Sequence, residues 1–126
     1  MSSFIDIEDA LQQMLNAQGF DACAKPLPQG FTCPHVLVDM LNAWDDNPAQ
    51  AIYSVDFDCR AETYDAAAQL QLDVSNLVRS LPGSTLGGKP CYAVDNIRLQ
   101  RIAPDQSHQN VIIATVSAEL RVRVAD

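Results

Sequence analysis

Residues 81–90, LPGSTLGGKP, resemble part of a nucleotide-binding loop. Gly83 and Gly88 have the spacing of G-x-x-x-x-G-K, and Lys89 occupies the position of the phosphate-binding lysine. However, Pro90 stands where the motif needs a hydroxyl for magnesium, and proline also lacks a backbone N–H donor. The segment follows a predicted helix and precedes a predicted strand, whereas the motif requires the reverse order. The pattern therefore predicts a mobile helix-to-strand connection with one lysine, and no phosphate site.

Asp56 and Asp58 place two carboxylates on the same face of a predicted strand, about 7 Å apart. Such a pair could bind a metal ion or act as general acid and base. No histidine, asparagine or third acid lies beside them in the sequence, and they alternate with apolar residues. The alternation favours acids on a solvated or interface-forming face over a catalytic pair.

The remaining reactive side chains give no catalytic pattern. His35 and His108 both lie beside predicted loops, without a serine or cysteine in a recognisable nucleophile motif. The cysteines contain no C-x-x-C pair and are predicted to be free thiols; they are Cys23, Cys33, Cys59 and Cys91. We therefore expect no enzyme activity, no metal and no cofactor.

The charge distribution points to self-association. Sixteen acids against eight lysines and arginines give a net charge of −8, which disfavours a nucleic-acid-binding surface. Most acids lie in the first 80 residues, whereas four of the six arginines lie near the end, at positions 98, 101, 121 and 123. A basic sheet face could meet an acidic neighbour. The N-terminus is acidic where a signal peptide is basic, and no apolar run could span a bilayer, so we expect synthesis and retention in a cytoplasm without membrane contact.

Two helices are predicted from apolar spacing of three and four residues. The first covers residues 4–18, with Ser3 or Asp6 as its cap and Gly19 as its stop. The second follows Thr63 and ends at Pro82. The intervening residue 44 is a tryptophan beside a turn, and it suits either a half-buried core position or an interface anchor.

The strands are predicted from alternation of apolar and polar residues. Residues 51–61 give the clearest pattern, residues 35–41 form a strand before a turn at 42–50, and the last strand carries alternate apolar residues from Val116 to Val122. The change of phase near Asp95 and Asn96 indicates a bulge. The sequence predicts one α+β domain over residues 1–126. Its order is α-β-β-(β)-α-β-β, with a mostly antiparallel or mixed sheet of four to five strands and two helices packed on one face.

The order of these segments resembles the tail terminator family of long-tailed, non-contractile bacteriophages, whose members are also called tail-completion or head–tail joining proteins. The similarity lies in the DIEDALQQMLNA helix, the CPHVLVDML strand, and the segment YSVDFDCRAETYDAAAQLQLDVSNLVRSL, in which a strand rich in aspartate runs into an alanine-rich helix. AVDNIRLQRIAPDQ and a long last strand complete the similarity, which covers nearly the whole chain.

The resemblance implies a non-enzymatic virion protein. Members of that family form a hexameric ring at the head-proximal end of the tail tube, end tube polymerisation and join the tail to the head connector. The expected partners are other copies of the chain, the tail tube protein and the neck protein, with DNA only as transiting cargo. An anionic lumen would suit the passage of DNA.

Two groups of residues are the candidate assembly sites. The predicted subunit interface joins arginines to acids within or between subunits, and its members are Asp56, Asp58, Arg98, Arg121 and Arg123. The candidate assembly loop contains Gly83, Gly87, Gly88 and Lys89. The sequence leaves other functions open: another head-completion or tail-tube subunit, a small cytoplasmic ferredoxin-like binding module, or a hydrolase using Asp56 and Asp58.

Overall fold

The computed structural model describes residues 4–123, which contain two helices and seven strands. The helices are α1 (Ile7–Ala17) and α2 (Tyr64–Arg79). The strands are β1 (Ala22–Ala24), β2 (His35–Asn47), β3 (Gln50–Ala61), β4 (Thr85–Leu86), β5 (Lys89–Leu99), β6 (Ala103–Pro104) and β7 (Ile112–Arg123). The predicted cap Ser3 lies outside the described residues.

The strands form one sheet in the order β1-β2-β3-β7-β5-β4, and β6 pairs with the start of β7. Every pairing is antiparallel except the short parallel contact between β1 and β2. The α+β class is confirmed, but the expected number of four to five strands is too low. Three strands have only two or three residues, which is too short for alternation to reveal them.

Both helices pack on the same face of the sheet. Alternate residues of β3 from Ala51 to Ala61 are at most 1% exposed, with Tyr53 and Phe57 as the largest side chains. They form a single core cluster with the apolar stripes of α1 and α2 and with the facing residues of β7. The period of two in the sequence therefore marks the buried face correctly.

Local side chains fix the ends of both helices. Asp6 caps α1, because its carboxylate accepts a hydrogen bond from Asp9 N at 3.1 Å. Gly19 adopts a φ of 93° after α1, and Phe20 N donates to Leu15 O at 3.0 Å. Thr63 caps α2 through a 3.1 Å hydrogen bond from Ala66 N, as the sequence indicates.

The hairpin of β2 and β3 is longer than predicted. Residues 42–47 continue β2 instead of forming a loop, so that Ala43 faces Tyr53 and Trp44 faces Ile52. Only Pro48 and Ala49 separate the two strands. The turn-forming composition of NAWDDNPAQ is misleading here, since cross-strand pairing and two register shifts accommodate these polar residues in the strand.

The pairing of β5 with β7 is irregular at two places. A register shift between Asp95 and Arg98, with Asn96 at a φ of 53°, confirms the predicted bulge. Beyond Leu99, the backbone carbonyl of Thr115 in β7 accepts two hydrogen bonds. Gln100 N and Gln71 Nε2 each donate to Thr115 O at 2.9 Å. Gln71 is 5% exposed, so α2 contributes a buried polar side chain that bonds to the sheet where the pairing of β5 with β7 ends.

Candidate assembly surfaces

The glycine-containing segment 81–90 forms a tight hairpin between α2 and β5. Thr85 pairs with Pro90 and Leu86 pairs with Lys89. Gly87 and Gly88 form the turn with φ values of 58° and 80°, as a two-residue hairpin of this hand requires. The order of helix, turn and strand confirms that Lys89 does not precede a helix and that the backbone lacks the geometry of a nucleotide-binding loop.

This hairpin is anchored at both ends, which corrects the expectation of a mobile connection. Leu86 is 1% exposed, and a Cβ on Gly87 would lie 3.4 Å from Ile5 Cδ1. Gly83 N donates to Cys91 O at 2.9 Å, and Cys91 N donates to Ser84 O at 2.8 Å. Hydrogen bonds and burial therefore fix the segment within the single chain, although its role as an assembly loop stays a prediction.

Asp56 and Asp58 lie side by side on the sheet face opposite the core, as the alternation predicts. Ser117 Oγ donates to Asp56 Oδ1 at 2.6 Å, and Thr115 Oγ1 donates to Asp58 Oδ1 at 2.9 Å. Burial raises the pKa of Asp58, against the opposing effect of the Thr115 hydrogen bond. Hydroxyl groups of β7, and not arginines, are thus the nearest partners of both carboxylates within the chain.

Arg121 binds two acids that the sequence did not single out. Its Nε lies 2.8 Å from Asp95 Oδ2, and its Nη1 lies 2.7 Å from Asp46 Oδ2. The side chain reaches from β7 towards β2, and the residue of β3 that faces Arg121 is Ile52. Ile52, on the polar face, is only 5% exposed and lies between the facing residues Trp44 of β2 and Arg121 of β7.

The structure does not bring the candidate arginines onto Asp56 and Asp58 within one chain. Arg123 Nη1 donates to Tyr92 Oη at 3.2 Å, next to Arg121 on the same face of β7. Arg98 lies opposite Ser117 on β5 and is exposed. The predicted interface therefore divides into an acidic pair held by hydroxyls, with Arg98 opposite one of those hydroxyls, and two arginines, Arg121 and Arg123, near the turn of the β2–β3 hairpin. Their pairing with Asp56 and Asp58 between subunits stays a prediction.

A second polar cluster lies at the opposite end of β3. Arg60 Nε is 3.3 Å from Asp105 Oδ2, and the two side chains are 9% and 7% exposed. Asp105 also contacts His108 Nδ1 at 2.8 Å and accepts a hydrogen bond from Ser107 N. Although burial opposes ionisation, the hydrogen bonds from Ser107, His108 and Arg60 lower the pKa of Asp105. This ion pair fixes the loop before β7 to the sheet.

The rings of His35 and His108 both contact the ring of Phe31. The Phe31 ring lies 5.6 Å from the ring of His35 and 5.0 Å from that of His108, between centroids. His35 Nε2 is 3.1 Å from Cys23 Sγ. Burial lowers the pKa of His35 and raises that of Cys23, so both groups are held in their neutral forms.

An open cleft of about 890 Å³ lies beside this cluster, lined in part by Phe31, Cys33, Glu62 and His108. The pKa of Cys33 is raised by burial, which keeps this thiol protonated and weakly nucleophilic. Within residues 4–123 no group of three or more histidines, cysteines and acids could hold a metal ion. The cleft is a concave surface, and the side chains that line it among the described residues do not place an activated nucleophile beside a general base.

Comparison with known proteins shows where this fold occurs. No family model and no curated protein sequence matches the chain. A solved structure described as the virion of a native gene transfer agent particle contains a similar chain, with a TM-score of 0.52 and 14% sequence identity. The similarity covers 90% of this chain and 91% of that one. This chain therefore shares the fold of a virion component over nearly its whole length.

Neither helix described by the structure has the length and hydropathy needed to cross a membrane.

Proposed function

We propose that the chain is a non-enzymatic structural subunit of a phage-like virion. The observation that carries the proposal is the fold shared with a chain of a gene transfer agent virion, which extends over nine-tenths of both chains. A match of that extent involves the whole domain and not one common motif. The hydroxyl-bound acids and neutral thiols of this chain are also consistent with a structural role.

Within that class we propose a tail terminator. The chain would form a hexameric ring on the head-proximal end of the tail tube, end tube growth and join the tail to the head connector. The support is the resemblance of its segment order to that family, together with an acidic region of the polar sheet face in which Asp39 and Asp56 lie opposite each other. Such a region, directed towards a channel, would repel DNA and allow it to slide.

Deletion of the gene from the strain that produces the particles tests this role. We expect electron microscopy to show filled heads without tails, together with unattached tails of irregular and excessive length. Complementation with the wild-type gene should restore attached tails of uniform length. Tails that are absent altogether would indicate a tube subunit, and empty or leaking heads with normal tails would indicate a head-completion protein. Normal particles would contradict any role in the virion.

A further inference from the structure

Within residues 4–123, both edges of the sheet lack a partner strand over most of their length. β1 pairs with β2 only at residues 36–38, and Glu8 Oε2 accepts a hydrogen bond from Met40 N at 2.8 Å. In the described structure, residues 41–47 of β2 have no neighbour on their outer side. At the other edge, β4 pairs only with residues 89 and 90, so residues 92–99 of β5 are similarly open. We call these two segments the hairpin edge and the β5 edge.

Exposed apolar side chains are concentrated on these edges. Leu41 and Trp44 of the hairpin edge are 56% and 39% exposed. Tyr92 and Leu99 of the β5 edge are 46% and 49% exposed. They are four of the seven large apolar residues that are exposed within residues 4–123. Aromatic and aliphatic groups in such positions are typical anchors of protein interfaces.

The charged side chains left without an ion-pair partner at the two edges have opposite sign. On the hairpin edge, Asp46 is paired with Arg121, whereas Asp45 is in no ion pair among the described residues and is exposed beside Trp44. On the β5 edge, Asp95 is paired with Arg121, which leaves Arg98 and, two residues beyond the edge, Arg101. Among the described residues, neither Arg98 nor Arg101 is in an ion pair, and both are exposed. Arg98 and Arg101 are therefore complementary in charge to Asp45 of an identical chain.

Register shifts limit how the edges can meet. β2 is irregular near Leu41 and Asp46, and β5 is irregular near Tyr92 and Asn96. Bulges of this kind discourage a continuous ladder between sheets and so protect against open-ended aggregation. Side-chain contacts, with the apolar groups at the centre and the charges around them, therefore suit these edges better than simple extension of the sheet.

We propose that the partner of the hairpin edge is the β5 edge of a second copy of this chain. The two surfaces differ, so the contact is heterologous, and repetition around an axis closes a ring. This inference rests on the proposed function for the ring, and it identifies the surfaces that build it. It differs from the arginine–aspartate pairing predicted from sequence, because Arg121 is already bound to Asp46 and Asp95 within the chain.

Two variants with complementary defects test the proposal. The first carries Leu41→Ser and Trp44→Ser on the hairpin edge, and the second carries Arg98→Glu and Leu99→Ser on the β5 edge. All four positions are exposed, so both variants should fold, and circular dichroism checks this. Each variant alone should associate at least about tenfold more weakly than the wild type. An equimolar mixture should form one-to-one dimers, because each variant keeps one intact edge.

A matched control changes exposed apolar residues elsewhere. Tyr64 and Leu72 of α2 are 52% and 46% exposed, and the Tyr64→Ser, Leu72→Ser variant should associate like the wild type in analytical ultracentrifugation. Three results would overturn the proposal. They are association of both edge variants as strong as that of the wild type, a mixture of the two variants that stays monomeric, and a wild type that is monomeric up to about 1 mM. Such a result would not affect the deletion experiment, which tests the virion role separately. Conversely, normal particles after deletion would reject that role even if the edges associate.

Discussion

Asp105→Asn should destabilise the protein strongly, although the two residues are nearly the same size. The substitution removes the charge that faces Arg60, whose side chain is 9% exposed and whose Nη1 is buried without a partner among the described residues. Breaking a buried ion pair on one side typically costs about 3–5 kcal/mol, because the remaining charge is left uncompensated in a medium that solvates it poorly. The loss would be a large fraction of an ordinary total stability of about 5–15 kcal/mol.

Urea denaturation followed by tryptophan fluorescence or circular dichroism measures this cost. With a typical dependence of about 1–3 kcal/mol per molar urea, the midpoint should fall by roughly 2 M. Asparagine retains an oxygen that can accept the hydrogen bond from Ser107 N, so the effect reports mainly the lost charge. His108 also loses its carboxylate partner, but its side chain is 40% exposed and water can replace that contact.

Two further variants make the interpretation specific. Arg60→Met combined with Asp105→Asn removes both charges and should recover most of the lost stability. Asp46→Asn breaks one contact of the half-exposed Arg121, where water screens the charges, and should lower the urea midpoint far less than Asp105→Asn. If Asp105→Asn alone costs no more than Asp46→Asn, the guanidinium of Arg60 is accessible to water and the reasoning from burial is wrong.

Three other perturbations follow from the structure. Stability should decrease as the pH is lowered from about 7.5 to 5.5, because burial holds the pKa of His35 in the folded state below its unfolded value of 6.5, so the unfolded chain takes up the proton first. His35→Gln should flatten this pH dependence of stability in urea titrations, and an unchanged slope would contradict the role of His35. Gly87→Ala and Gly88→Ala should each cost about 1 kcal/mol, since both positions have positive φ; thermal melts unchanged in both variants would refute the turn geometry. Gln71→Leu should cost about 1 kcal/mol, because it removes the two hydrogen bonds from Gln71 Nε2 while Thr115 O keeps its bond from Gln100 N. Hydrogen exchange should increase near the end of β5, and unchanged exchange would count against this role.

The sequence predicts the elements whose signals are local. The alternation in residues 51–61 identifies the buried face of β3, and Thr63 identifies the start of α2, because side-chain period and capping depend on neighbours in the chain. The bulge at Asn96 is visible for the same reason. By contrast, strands of two or three residues give no periodic signal, and their pairing depends on the rest of the sheet.

The site depends on contacts that join distant segments. Arg60 and Asp105 are 45 residues apart, and the residue types alone do not indicate that they pair. The same holds for Arg121 with Asp46, which are 75 residues apart. The sequence does not indicate the extension of β2 to Asn47, because aspartates and asparagines favour a turn in isolation, whereas pairing with β3 stabilises the strand.

The copy number of the chain in purified particles tests the central proposal most directly. Quantitative mass spectrometry, calibrated against a labelled form of the chain and normalised to the portal protein, gives this number. We expect one hexamer per tail, retained after washing and enriched in fractions that contain necks. Absence of the chain from intact particles, or a copy number that increases with tail length as for a tube subunit, would contradict it.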